Sequence, residues 1–128
     1  MRSIAWVAGK LRLLDQTELP QHEVMLEIDD YHQVIRAIKN MQIRGAPALG
    51  IAAAYALALA ASEIAHDGSH EFIKDLRAAS REIKEARPTA INISWAIDRM
   101  LPIAEATQSP HEASRRLLAE AEAMQSED

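Results

Sequence analysis

The sequence predicts an α+β fold that is mostly helical: a small N-terminal three-stranded antiparallel sheet followed by a bundle of about five helices. Three observations predict it. Alanine supplies 24 of the 128 residues, against three valines and four glycines, a balance that favours close-packed helices over sheet. Alternation of apolar and polar residues is confined to the first 28 residues. From residue 29 onward the apolar residues recur at helical spacing. The length allows one domain, residues 1–128, divided into a β part (1–28) and a helical part (29–128).

The elements follow in order. "SIAWV" and "KLRLL" flank Ala8-Gly9, a two-residue hairpin turn. "HEVMLEI" alternates, with Val24, Leu26 and Ile28 on one face. Asp29 or Asp30 can cap a first helix running to about Met41, with Val34, Ile35, Ile38 and Met41 inward. The second helix spans about Ala46 to Ala65. "HDGS" breaks the chain, and Ser69 can cap a third helix with Phe72, Ile73, Leu76 and Ile83 on its apolar face. Pro88 pushes Arg87 out of helical geometry. A fourth helix is expected after Pro88, with Ile91, Trp95, Met100 and Leu101 as inward candidates, kinked or ended by Pro102. "SPHE" opens the last helix, with Ser109 as N-cap and Glu112 closing a capping box. Its stripe is Leu117, Leu118, Ala121 and Met124. The chain stops four residues later with no glycine or proline stop signal. A frayed end and a cut chain both fit that pattern.

Composition excludes several function classes. The net charge is −5 and the basic residues are scattered, which is not the footprint of a nucleic-acid surface. There is no cysteine, hence neither a disulfide nor a thiol nucleophile. The N-terminus is too polar for a signal peptide, so the expected location is cytoplasmic. The uncharged run Ala46–Ala61 is 16 residues long, shorter than the ~20 of a membrane span. It reads as a buried core helix, with no membrane partner.

The chemistry concentrates at "IRGAPALG". Pro47 suits a first helical turn. Gly45 allows unusual dihedrals and close approach of backbone to a ligand. Free N–H groups at a helix start attract anions, and Arg44 adds a donor fork that matches phosphate. The plain alternative is a turn, a helix start and a solvated arginine. "EARPTAIN" repeats the form, with Arg87 directly before Pro88. If the two ends converge, one anion meets two guanidinium groups. The five histidines fall on exposed faces or loops, and His66 and His70 straddle a helix break, so no metal site is expected. Asp98 reads as a buried ion-pair partner or packing acid. Neither a catalytic serine element nor a nucleotide-binding loop is present.

At these residues the chain resembles the N-terminal domain of the methylthioribose-1-phosphate isomerase family. That superfamily is shared with ribose-1,5-bisphosphate isomerases and the regulatory subunits of the translation initiation factor that exchanges guanine nucleotide. The blocks "IAWVAGKLRLLDQTELP", "MQIRGAPALGIAAAYALALA", "ARPTAINISWAIDRM" and "LLAEAEAMQSED" carry the resemblance in order along the chain. It implies conversion of methylthioribose 1-phosphate to methylthioribulose 1-phosphate in methionine salvage, without cofactor or metal. The family's "RGA" motif falls on Arg44, Gly45 and Ala46, and the arginine of its "RPT" motif on Arg87. These are the implied substrate-binding residues. The family's catalytic cysteine and aspartate lie in a larger Rossmann-like C-terminal domain, which this sequence does not contain. The resemblance therefore implies no catalytic residue in this chain and no turnover by it alone. It also implies a sugar-phosphate ligand, a missing C-terminal domain as partner, and a homodimer for the full-length protein. Two further readings stand beside it. One is a regulatory relative that senses sugar phosphates or nucleotides without catalysis; the other is a plain helical scaffold.

Overall fold

A computed structural model of the chain describes residues 3–68 and 70–127. Strands β1 (Ile4–Val7) and β2 (Lys10–Leu14) pair antiparallel, with Val7 opposite Lys10 and Ile4 opposite Leu13. Ala8 and Gly9 both take positive φ, 52° and 80°, as a turn matching the strand twist requires. Strand β3 (Met25–Ile28) adds to β2, giving the order β1-β2-β3. Ile4, Leu11, Leu13 and Ile28 are buried, while Met25 and Glu27 face outward.

Five helices follow: α1 (Tyr31–Lys39), α2 (Ala46–Asp67), α3 (Phe72–Glu85), α4 (Ile91–Glu105) and α5 (Pro110–Glu127). Helix α2 is the axis of the bundle and packs against the other four. Every residue from Leu49 to Ala61 is buried. A helix surrounded on all sides has no polar face to keep, which is why its sequence is apolar all round. Alanine at so many of these positions lets neighbouring backbones approach closely. With 22 residues, α2 is long and apolar enough to cross a membrane, beyond the 16-residue uncharged run; 78% of its most apolar window is buried inside the domain, which accounts for its composition.

The sheet is fastened to this axis by side chains. Trp6 stacks on Tyr55 of α2, ring centroids 5.8 Å apart. The Tyr55 hydroxyl donates to Gln125 Oε1 at 2.6 Å, and Gln125 Nε2 donates to the Ile4 carbonyl at 2.6 Å.

Several expectations are corrected. Met41 is not on the inner face of α1: the helix ends at Lys39, and Met41 is half exposed at φ 59°. Ile91 and Trp95 are not inward either, at 81% and 55% exposure. The inner face of α4 is Ile93, Ala96, Ile97, Met100 and Ala104. The apolar residues of α4 outnumber what one face can bury. Of the two outcomes expected at Pro102, a helix end is excluded, because α4 continues to Glu105. Asp98 is exposed and paired with Lys84 at 2.6 Å. Ser69 lies outside the described residues, and Glu71 occupies the N-cap position of α3. At α5, the Glu112 N–H reaches Ser109 Oγ at 3.4 Å, but the Glu112 carboxylate pairs with Arg115 and Arg116 instead of closing a capping box. Met124, the end of that stripe, is buried.

Candidate functional site

Arg44 is delivered by a tight connection between α1 and α2. The Gln42 N–H donates to the Ala37 carbonyl at 2.9 Å, and Ile43 is buried. Arg44 then emerges exposed, and Gly45 turns the chain at φ 94°, ψ 133°. Few residues other than glycine hold that conformation. The Leu49 N–H makes the first helical bond to the Gly45 carbonyl at 3.0 Å. No side chain caps this helix, and Pro47 sits in its first turn.

The second arginine arrives differently from the sequence expectation. Pro88 does not open α4. It is the second residue of a turn closed by the Ala90 N–H on the Arg87 carbonyl at 2.9 Å, the position proline's fixed φ favours. Helix α4 starts three residues after Pro88, at Ile91, with Ala90 as an N-cap that offers no side-chain acceptor. Its first turn is therefore also uncapped by a side chain.

Gly50 brings the two helix starts together. A Cβ built on Gly50 would lie 3.2 Å from the Asn92 carbonyl oxygen. A side chain there would force the Asn92 carbonyl to give way by a few tenths of an ångström, so glycine favours the close approach of α2 to the first turn of α4.

Arg44, Gly45, Ala46 and Arg87 all line one open cleft of about 530 Å³ between these helix starts. The structure thus brings together the four residues the sequence places at an anion site. It adds Thr89 and Asn92 as polar lining and Met41, Leu49 and Ile91 as apolar lining. Thr89 and Asn92 belong to the same "RPTAIN" block as Arg87; the turn after Arg87 was the signal that could have marked them. Among the described residues, neither Arg44 nor Arg87 has an ion-pair partner. By contrast Arg12, Arg77, Arg99, Arg115 and Arg116 are all paired. Freedom alone does not mark a site, because Arg36 and Arg81 are also unpaired. The shared cleft does.

Among the described residues, the lining has no carboxylate, histidine, lysine, cysteine or tyrosine. Two guanidinium groups and two helix N-termini can hold an anion. The cleft can grip a ligand; it has no acid–base pair of its own.

A smaller cavity of about 270 Å³ adjoins it through Asn92, lined by Pro47, Gly50, Trp95 and Arg99 among others. Arg99 lies 5.4 Å from the Trp95 ring centre and is held by Glu120 at 2.6 Å and Glu127 at 2.8 Å. Its charge is already neutralised, so it ties α4 to α5 and leaves the cleft to Arg44 and Arg87.

Residues 42–128, which hold the whole lining except Met41, match the model of the Initiation factor 2 subunit family. The chain belongs to this family. A methylthioribose-1-phosphate isomerase from Bacillus licheniformis is 39% identical over 127 residues, covering 99% of this chain and 36% of that protein. Among solved structures, the delta subunit of translation initiation factor eIF-2B from A. fulgidus superposes with a TM-score of 0.89 at 38% identity, covering 100% of this chain and 37% of that one. The 5-methylthioribose 1-phosphate isomerase from Pyrococcus horikoshii gives a TM-score of 0.87 at 31% identity, covering 99% and 36%. The chain spans little more than a third of the length of these relatives.

Proposed function

We propose that this chain is the N-terminal, substrate-gripping domain of an aldose–ketose isomerase that converts methylthioribose 1-phosphate to methylthioribulose 1-phosphate in methionine salvage. One observation carries the reading: among the described residues, two arginines without ion-pair partners and two helix starts line a single cleft with no acid–base pair. Arg44, Gly45, Ala46 and Arg87 hold the phosphate. Isomerisation needs an acid and a base placed at the first two carbons of the opened sugar. Those groups belong to a C-terminal domain, which docks over the cleft and covers the exposed Ile91 and Trp95 beside it. The protein works in the cytoplasm as a homodimer.

The test is kinetic. In the full-length enzyme, Arg44→Ala and Arg87→Ala each lose one charge-assisted contact, about 1.5–3 kcal/mol, or roughly ten- to a hundredfold in kcat/KM. The 128-residue chain alone is expected to show no turnover. Unchanged kinetics in either variant, or turnover by the chain alone, overturns the assignment.

A second reading is favoured by the likeness to the eIF-2B delta subunit. In it the same cleft senses a phosphorylated sugar or nucleotide without catalysis. The two readings part in the full-length protein: the sensor binds a sugar phosphate and does not convert it.

A further inference from the structure

Asp15 is a buried, ionised side chain far along the chain from the cleft residues, at 6% exposure. Its Oδ1 accepts from the Thr17 N–H at 3.0 Å and the Thr17 hydroxyl at 2.5 Å, as a local cap does. Its Oδ2 accepts from Gln42 Nε2 at 2.8 Å. A serine or asparagine would satisfy the cap alone. Burying a full charge is costly unless it is well bonded, and here its second oxygen is spent on residue 42.

Gln42 is held at three points. Its N–H donates to the Ala37 carbonyl at 2.9 Å, its carbonyl accepts from the Gln16 N–H at 2.9 Å, and its side chain is fixed by Asp15. On one side stands Met41 at φ 59°, a conformation that a non-glycine residue keeps only when its surroundings impose it. On the other stands Ile43, buried at 3% exposure. The single residue between Gln42 and Arg44 is thus buried, and its predecessor is bonded at three points. We infer that Asp15 and Gln42 are a positioning pair for the anion site: their buried hydrogen bond sets where Arg44 and the Gly45 turn meet a phosphate. The inference rests on the reading that the cleft takes a phosphate.

The experiment titrates inorganic phosphate into the 128-residue chain and follows the amide resonances of Gly45 and Ala46, with thermal melts beside it. Gln42→Glu sets two carboxylates against each other and should weaken phosphate binding about tenfold, the value of one hydrogen bond involving a charged group. Asp15→Asn combined with Gln42→Glu reverses donor and acceptor and should restore affinity. A role in stability alone moves the melts and leaves affinity in place. If Gln42→Glu fails to fold, Gln42→Ala removes the bond without adding charge and should weaken binding severalfold. Wild-type affinity in the folded Gln42 variants, with binding lost in Arg44→Ala, overturns the positioning pair and leaves the cleft reading intact. No saturable phosphate binding by the unmodified chain, or none that Arg44→Ala and Arg87→Ala diminish, removes the cleft reading and the pair with it.

Discussion

The two ends of α2 are finished in opposite ways. At the C-terminal end, Gly68 closes the helix in the left-handed conformation and its N–H returns to the Ala65 carbonyl. Glu63, one turn earlier, accepts the Tyr31 N–H at 3.0 Å and so anchors the start of α1. At the N-terminal end no side chain caps the helix, and the adjacent arginines have no ion-pair partner among the described residues. One helix thus carries a satisfied end and an open end, joined by a fully buried middle. Polar groups left open in a cleft, on an element this well anchored, keep their capacity for a ligand.

The comparison breaks most severely at Gly50, where α2 meets α4. Gly50→Val places side-chain atoms where a Cβ already meets the Asn92 carbonyl at 3.2 Å. We expect a loss of about 1–3 kcal/mol in urea unfolding, typical of overpacking, together with weaker phosphate binding as the two helix starts move apart. Wild-type stability and affinity in this variant would show that the close approach does not set the cleft.

The two positive-φ glycines at the ends of α2 sharpen the contrast. A Cβ at Gly45 or at Gly68 meets nothing within 4 Å, so alanine at either costs backbone strain alone. At Gly45, φ 94° and ψ 133°, we expect about 1–3 kcal/mol; at Gly68, in the left-handed region, about 1–2 kcal/mol. Both losses are read in urea unfolding. Only Gly45→Ala should also reduce phosphate affinity. Equal loss of affinity in both variants would show that the N-terminal end is not special.

Much of this was legible in the sequence, for physical reasons that differ by element. Ala8-Gly9 and Asp30 are local signals, read from turn and cap chemistry, and both stand as expected. The apolar run of α2 announced a buried helix because no exposed helix would carry it. Arg44 and Arg87 were singled out beside helix starts, and they share a cleft. What was not legible depends on contacts between distant segments. Ile91 and Trp95 look like core residues by hydrophobicity, yet the inner face of α4 is filled by Ile93, Ala96 and Ile97. Pro88 has the same local chemistry as Pro47, but the turn that Arg87 and Ala90 close places it ahead of the helix. Gly50 and the Asp15–Gln42 bond have no local signature, since each acts on a partner 27 or more residues away.

Glu63, at the C-terminal end of α2, and Asp15, joined to the connection before its N-terminal end through Gln42, should differ in pH response by a small amount. Burial pushes the Glu63 carboxyl above its ordinary value, and nearby Asp30 pushes the same way. The folded state therefore takes up that proton more readily than the unfolded chain, and acidification through the raised value relieves a penalty. Asp15 has the opposite sign. The Thr17 hydroxyl bond, with help from Gln42, holds its carboxyl below the ordinary value. Its contribution is complete above the unfolded carboxylate range, near pH 4, and is lost as pH falls through the lowered folded value. Glu63→Gln keeps an oxygen for the Tyr31 N–H and removes the charge. Near pH 7 it should be more stable than the wild type by less than about 1 kcal/mol, small because the group is only partly buried. That advantage should shrink as the pH falls toward the ordinary carboxylate range. Asp15→Asn should cost stability at neutral pH, and its deficit should narrow only below that range. Urea unfolding of both variants across this span checks the signs. Parallel pH curves for the two would mean that the two ends are held by the same electrostatics, and the contrast between them would then rest on the caps alone.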